Sequence, residues 1–160
     1  MSEVQAHVLA PDDPDLEREW GRLEEIGGVL SPFQTWSWFS AIKDHPDAFG
    51  DLSVIAAVQN GVAVGLLAVE IVESRWRLRT LQSPGQDWII PDHVDVIASE
   101  EHRSTAARAI ADWIFSNRGW DVLDLDGLRR TSPLVSALLD RRRSVTQVAQ
   151  TMDSAKCPQL

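Results

Sequence analysis

Apolar positions alternate with polar ones at Val4, Ala6 and Val8, which predicts a first strand over residues 3–10 ended by Pro11. Leu16, Trp20, Leu23 and Ile26 then recur at helical spacing. Asp13 suits an N-cap, Pro14 a first helical position and Gly27-Gly28 a C-terminal cap, so a helix is expected over residues 14–26. Trp36, Phe39 and Ile42 mark one face of a second, short helix, with Trp38 on another face and His45-Pro46 ending the run. Residues 52–59 and 63–72 are two apolar strands around Asn60-Gly61, a dipeptide suited to a tight hairpin. Trp76, Leu78 and Thr80 alternate with Arg75, Arg77 and Arg79, which predicts a third strand over residues 75–81 with one charged face.

A loop with a short strand follows over residues 83–99. Residues 100–117 form a helix capped by Ser99, with Ala106, Ile110, Trp113 and Ile114 inward and Gly119 as its stop. A buried strand is expected over 120–125. Ser132-Pro133 opens another helix whose Leu134, Ala137 and Leu138 face inward and whose Arg141 to Arg143 oppose the helix dipole. Residues 144–151 are a final strand and 153–160 a tail. The order βααβββαβαβ gives an α+β (mixed α/β) domain, a mostly antiparallel sheet with helices on both faces, over residues 1–152.

Composition narrows the function classes. The chain has 160 residues, 44% hydrophobic and 24% charged, the profile of one globular domain. Its net charge of −9 argues against nucleic acid or an anionic membrane as partner. No apolar run reaches the roughly 20 residues of a membrane helix. The N-terminus lacks a signal-peptide pattern, and the single cysteine, Cys157, forms no internal disulfide, so a cytoplasmic location is expected. Eight acidic residues against two arginines precede Gly28, which concentrates −6 of the charge in the first helix and its approach.

Candidate chemistry is sparse. Nucleotide-binding, zincin and serine-hydrolase motifs are all missing. The densest polar constellation is Asp87, Asp92, His93 and Asp95, with Trp88 among them. Carboxylates beside a histidine can supply a general base or bind a metal, and turn chemistry in a polar loop explains the same residues. A zinc site is not indicated by the spacing. Of seven tryptophans, Trp20, Trp36 and Trp113 sit at core positions, whereas Trp38 and Trp88 can line a pocket. With no tyrosine in the chain, no phenolic acid is available to a mechanism. The arginines at 75, 77 and 79 suit an anionic substrate, but a charge-protected strand edge explains them as well and is the preferred reading.

Several motifs together carry a family likeness: S-P-F-Q-T-W-S-W-F at residues 31–39, G-x-x-x-G-L-L-A-V at 61–69, R-x-R-x-L at 77–81, D-x-x-D at 92–95 and W-D-x-L-D-L at 120–125. The chain resembles the GNAT superfamily of acyl-CoA transferases, in the group of cellulose and exopolysaccharide biosynthesis acetyltransferases related to FemAB-like aminoacyltransferases. The resemblance implies acetyl-CoA as cofactor and a small-molecule amine or sugar acceptor. It also implies a second GNAT-like half beyond residues 153–160 that carries the acyl-CoA site. The glycine-containing turn that holds the pyrophosphate in such enzymes has no counterpart in residues 94–106, so no cofactor-binding residue is assigned. Asp92 and Asp95 are the expected catalytic bases, and Trp38, Asp87, Trp88 and His93 the expected acceptor-binding residues. A non-catalytic binding or assembly module with the same fold, and metal-dependent hydrolysis through Asp87, Asp92 and His93, are the competing expectations.

Overall fold

The computed structural model describes residues 3–45, 48–87, 89, 91, 93–117 and 119–142. The expected final strand at 144–151, the tail at 153–160, Cys157, Trp88 and Asp92 lie outside these residues.

Five strands, β1 (Gln5–Leu9), β2 (Asp51–Gln59), β3 (Val62–Glu73), β4 (Arg79–Gln82) and β5 (Val122–Asp124), form one sheet in sequential order. The first three pairings are antiparallel, and β4 with β5 is parallel. Four helices accompany them: α1 (Leu16–Glu25), α2 (Trp36–Lys43), α3 (Glu100–Ser116) and α4 (Pro133–Arg142).

Alternation along the central hairpin sorts the core into two layers. Val54 and Ala56 of β2 with Leu66 of β3 meet Leu16, Trp20 and Leu23 of α1 and Phe39 and Ile42 of α2. Ile55, Ala57, Leu67 and Val69 point the other way, onto Ala106, Ala107, Ile110 and Ile114 of α3 and Leu134 of α4. Because both faces are covered, the strands read as continuous apolar runs rather than as half-polar ones. Trp20 stacks on Phe39 at 4.7 Å between ring centres and donates its Nε1–H to Gln34 O at 2.9 Å, so its polar end is satisfied inside the core.

The hairpin turn is as expected: Asn60 (φ 53°) and Gly61 (φ 79°) both adopt the left-handed conformation of a tight two-residue turn. The start of α1 differs from expectation: the helix begins at Leu16 with Asp15 as its N-cap and no side-chain capping bond, while Asp13 Oδ1 accepts from Asp15 N–H at 3.0 Å in the turn ahead of it. At its other end Gly27 and Gly28 N–H donate to Glu24 and Leu23 carbonyls.

Two further expectations need correction. The third strand is only Arg79–Gln82; Ser74 N–H donates to Leu78 O and Arg77 takes φ 61°, so residues 74–78 are a turn. The strand expected as buried over residues 120–125 is only Val122–Asp124, with Val122 and Asp124 exposed and Leu123 half-buried, whereas α3 ends as expected, at its C-cap Asn117, whose backbone and side-chain N–H groups both reach Trp113 O. Trp36 and Trp113 are partly rather than fully buried.

Candidate functional site

On the α1/α2 side of β3, the apolar row Leu66–Ala68 ends at Glu70, beyond the reach of α2. Glu70 is only 2% exposed yet fully engaged. Its Oε1 accepts from Gln82 Nε2 at 2.9 Å and from Gly85 N–H at 3.0 Å, and its Oε2 from Gly50 N–H at 3.1 Å. Register explains the contact to Gln82, which lies directly opposite on β4. The second N–H of the Gln82 amide goes to Asp87 Oδ2 at 3.0 Å. One buried carboxylate thus orients an amide that orients an exposed carboxylate.

These groups wall a cleft of about 630 Å³ between the end of α2 and the β2–β3 strands. Phe49, Leu52, Ile71 and Val72 give it an apolar floor; Asp51, Glu70, Glu73 and Asp87 line it with negative charge, opposed by Lys43. The cleft suits a ligand with an apolar body and one or more cationic groups.

The remaining expected site residues are divided. His93 and Asp95 occupy the next stretch of the same loop, packed against the 3₁₀ turn Pro32–Gln34 and the start of α4. Asp95 is 5% exposed. Its carboxylate accepts from Val96 N–H at 2.7 Å and from the Ser132 hydroxyl. Ser132 Oγ in turn accepts from Leu134 N–H at 3.0 Å, capping α4. Burial pushes the Asp95 carboxyl above its ordinary range, while Ser132, Val96 N–H, Arg103 and Arg129 pull it back. His93, at φ 58°, has Nδ1 facing Arg129 Nε at 3.3 Å. Gln34 Nε2 donates to Asp95 O at 2.7 Å, and Ser31 Oγ to His93 O at 3.3 Å.

Asp87 therefore belongs to the acidic cleft, and Asp95 with His93 to a buried tie between loop and helix. Trp38 lines neither; its ring meets Phe33 edge-on at 5.1 Å. Among the described residues no group of three or more His, Cys, Asp or Glu side chains is placed to hold a metal ion. Glu70 and Gln82 escaped the sequence reading. The one available signal was a charged residue interrupting the apolar run of residues 62–72.

The start of α3 does not fit a pyrophosphate. Glu100 and Glu101 occupy its first turn, and its approach, residues 94–99, holds no glycine. His102 N–H is already bonded to Ser99 O, and Arg103 Nη2 turns back to Ala98 O at 3.2 Å instead of facing solvent at the helix start.

No protein-family model and no curated protein matches the chain. Solved structures do. An aminoglycoside acetyltransferase from an uncultured soil metagenomic sample, crystallised with trehalose, aligns at 13% identity and a TM-score of 0.55 over 98% of this chain and 96% of its own. A ribosomal-protein-alanine N-acetyltransferase from Brucella melitensis biovar Abortus 2308 aligns at 19% identity and a TM-score of 0.54, with 98% of each chain covered. These alignments run over nearly the whole of both chains, and the chain has the GNAT acetyltransferase fold.

Proposed function

We propose that this chain is the acceptor-binding side of a GNAT-type acyl transfer, in which acetyl-CoA supplies the acetyl group and is not held by the turn ahead of α3. The observation that carries the reading is the acidic cleft on a GNAT-type sheet, with Asp87 held toward it through Gln82 and Glu70. An amine acceptor is protonated at neutral pH, and the carboxylates of the cleft favour its binding over that of a neutral sugar. Of the two aspartates expected as base, Asp95 is spent on Val96 and Ser132, which leaves proton acceptance to Asp92, three positions earlier in the sequence. The sugar-linked acceptor of the exopolysaccharide group and a second GNAT-like half holding the cofactor rest on the sequence resemblance alone. The acetyltransferases compared are each covered over nearly their whole length by this one chain.

A second reading, a binding module that keeps the fold without the chemistry, is favoured by the acidic start of α3.

Calorimetric titration with the polyamine spermidine and with trehalose tests the acceptor site. Spermidine is expected to bind and trehalose not to. The Asp87→Asn, Glu73→Gln double variant should weaken spermidine binding about tenfold, the equivalent of about 1.4 kcal/mol. Spermidine affinity unchanged by this variant would remove the cleft from the proposal.

A further inference from the structure

The tip of the β3–β4 hairpin is a built projection that the acceptor reading does not use. Ser74 organises it: its N–H donates to Leu78 O at 2.9 Å, its carbonyl accepts from Arg77 N–H at 2.8 Å, and its Oγ accepts from Trp76 and Leu78 N–H. These bonds hold Arg77 at φ 61°, a conformation that side-chain-bearing residues rarely adopt. On this frame Trp76 is 73% exposed and Leu78 46%, and the Arg75 guanidinium lies over the Trp76 ring at 5.0 Å. Among the described residues Arg75, Arg77 and Arg79 form no ion pair. Glu73 stands opposite Arg79 in register, and Asp121 accepts from the Arg79 backbone, so the tip carries a small net positive charge.

The opposite character lies at the other end of the same strand. Arg22 of α1 donates to Ala63 O, which ties this acidic helix to the start of β3. Ten residues of strand separate Ala63 from Glu73, roughly 33 Å, several times the Debye length of about 8 Å in physiological salt. Asp12, Glu17 and Glu25 are exposed and hold no ion pair among the described residues, and Ile26, next to Glu25 at the C-terminal end of α1, is 51% exposed.

We infer that the hairpin tip and the acidic α1 face are two halves of one self-complementary contact, through which two copies of this chain pair head to tail. A partner for the tip must offer carboxylates to the arginines and an apolar side chain to Trp76, and α1 offers both. A two-fold axis between the two copies exchanges the two ends, so both contacts form together and the dimer closes. Exposed tryptophan flanked by arginine is the composition of an interface hot spot. The charges are solvent-facing, so the pairing is salt-sensitive.

Sedimentation velocity on the full chain at low and high salt tests this, with Trp76→Ala, the double variant Arg75→Glu/Arg77→Glu and the double variant Glu17→Arg/Glu25→Arg. Wild type should pass from monomer to dimer with rising concentration at low salt and stay monomeric at high salt. Trp76→Ala should weaken pairing at least tenfold. Each charge-reversed variant should be monomeric alone, and an equimolar mixture of the two should pair again. All the altered side chains are exposed, and an unchanged thermal midpoint verifies that each variant folds. A wild type monomeric throughout, a dimer indifferent to Trp76→Ala, or a mixture that stays monomeric would each overturn the inference. So would a monomer that binds vesicles of anionic phospholipid through Trp76, which would assign the tip to a membrane surface.

Discussion

Asp95 and Glu70 are both buried carboxylates, and their surroundings set them apart. Glu70 accepts from three N–H groups, two of them rigid backbone. At Asp95 one backbone N–H and one hydroxyl face a desolvation that outweighs them, so its folded carboxyl binds a proton more tightly than the unfolded one does. The folded state then holds more protons than the unfolded state between the unfolded value near 3.8 and the raised folded value. Stability contributed by this group therefore falls as pH rises through that window and stays low above it. Asp95→Asn keeps an oxygen that accepts from Val96 and Ser132 and removes the charge. Its thermal midpoint, relative to wild type, should be higher at pH 7 than at pH 4; a difference that is constant or reversed would contradict this origin. The loop's polarity made Asp95 visible in the sequence. Its partner Ser132, 37 positions away, and the burial that reverses its character depend on how α4 folds back, which no local pattern encodes.

At the scale of elements, α3 packs closely on β3. A Cβ at Gly65 would lie 2.5 Å from Ala106 Cβ and 3.3 Å from Val96 Cγ1, so the small residues on α3 and the glycine on β3 set the distance between helix and sheet. Gly65→Ala should cost about 1–3 kcal/mol through overpacking, or roughly 2–12 °C in thermal midpoint for a domain of this size. The Gly65→Ala, Ala106→Gly double variant should recover part of that loss. An undisturbed midpoint in Gly65→Ala would mean that α3 is free to move off the sheet. Local signals specified the elements they were strong enough to specify: Asn60-Gly61 made the hairpin turn, and Gly27-Gly28 ended α1. They misled where a turn imitates a strand. The alternation of Arg and Trp over residues 75–81 has a period of two, but the Ser74 bonds close a turn beneath it and leave Trp76 in solvent. Glu70 was concealed for the reverse reason, since a strand covered on both faces carries no polar alternation against which one carboxylate stands out.

For the whole molecule, the α+β class, the mainly antiparallel sheet and the two helical layers were all legible, because apolar periodicity and short connections restrict how the nine described strands and helices can pack. The candidate site was legible in part. Asp87 marked the cleft, whereas Glu70, Gln82 and the cleft itself exist only once β4 lies beside β3 and α2 stops short of the strand end. No helix among the described residues is long and apolar enough to cross a membrane. The GNAT fold and the acidic, glycine-free start of α3 pull in different directions, and cofactor binding decides between them. The decisive measurement is the thermal midpoint of this chain with and without millimolar acetyl-CoA. Ligand at 100 times its dissociation constant adds about 2.7 kcal/mol, which for a domain of this size raises the midpoint by roughly 5–10 °C. An unchanged midpoint is expected for a chain that binds the acceptor and leaves the cofactor to another site. A rise of several degrees would show that this chain holds acetyl-CoA itself, and would contradict the division of labour proposed for it.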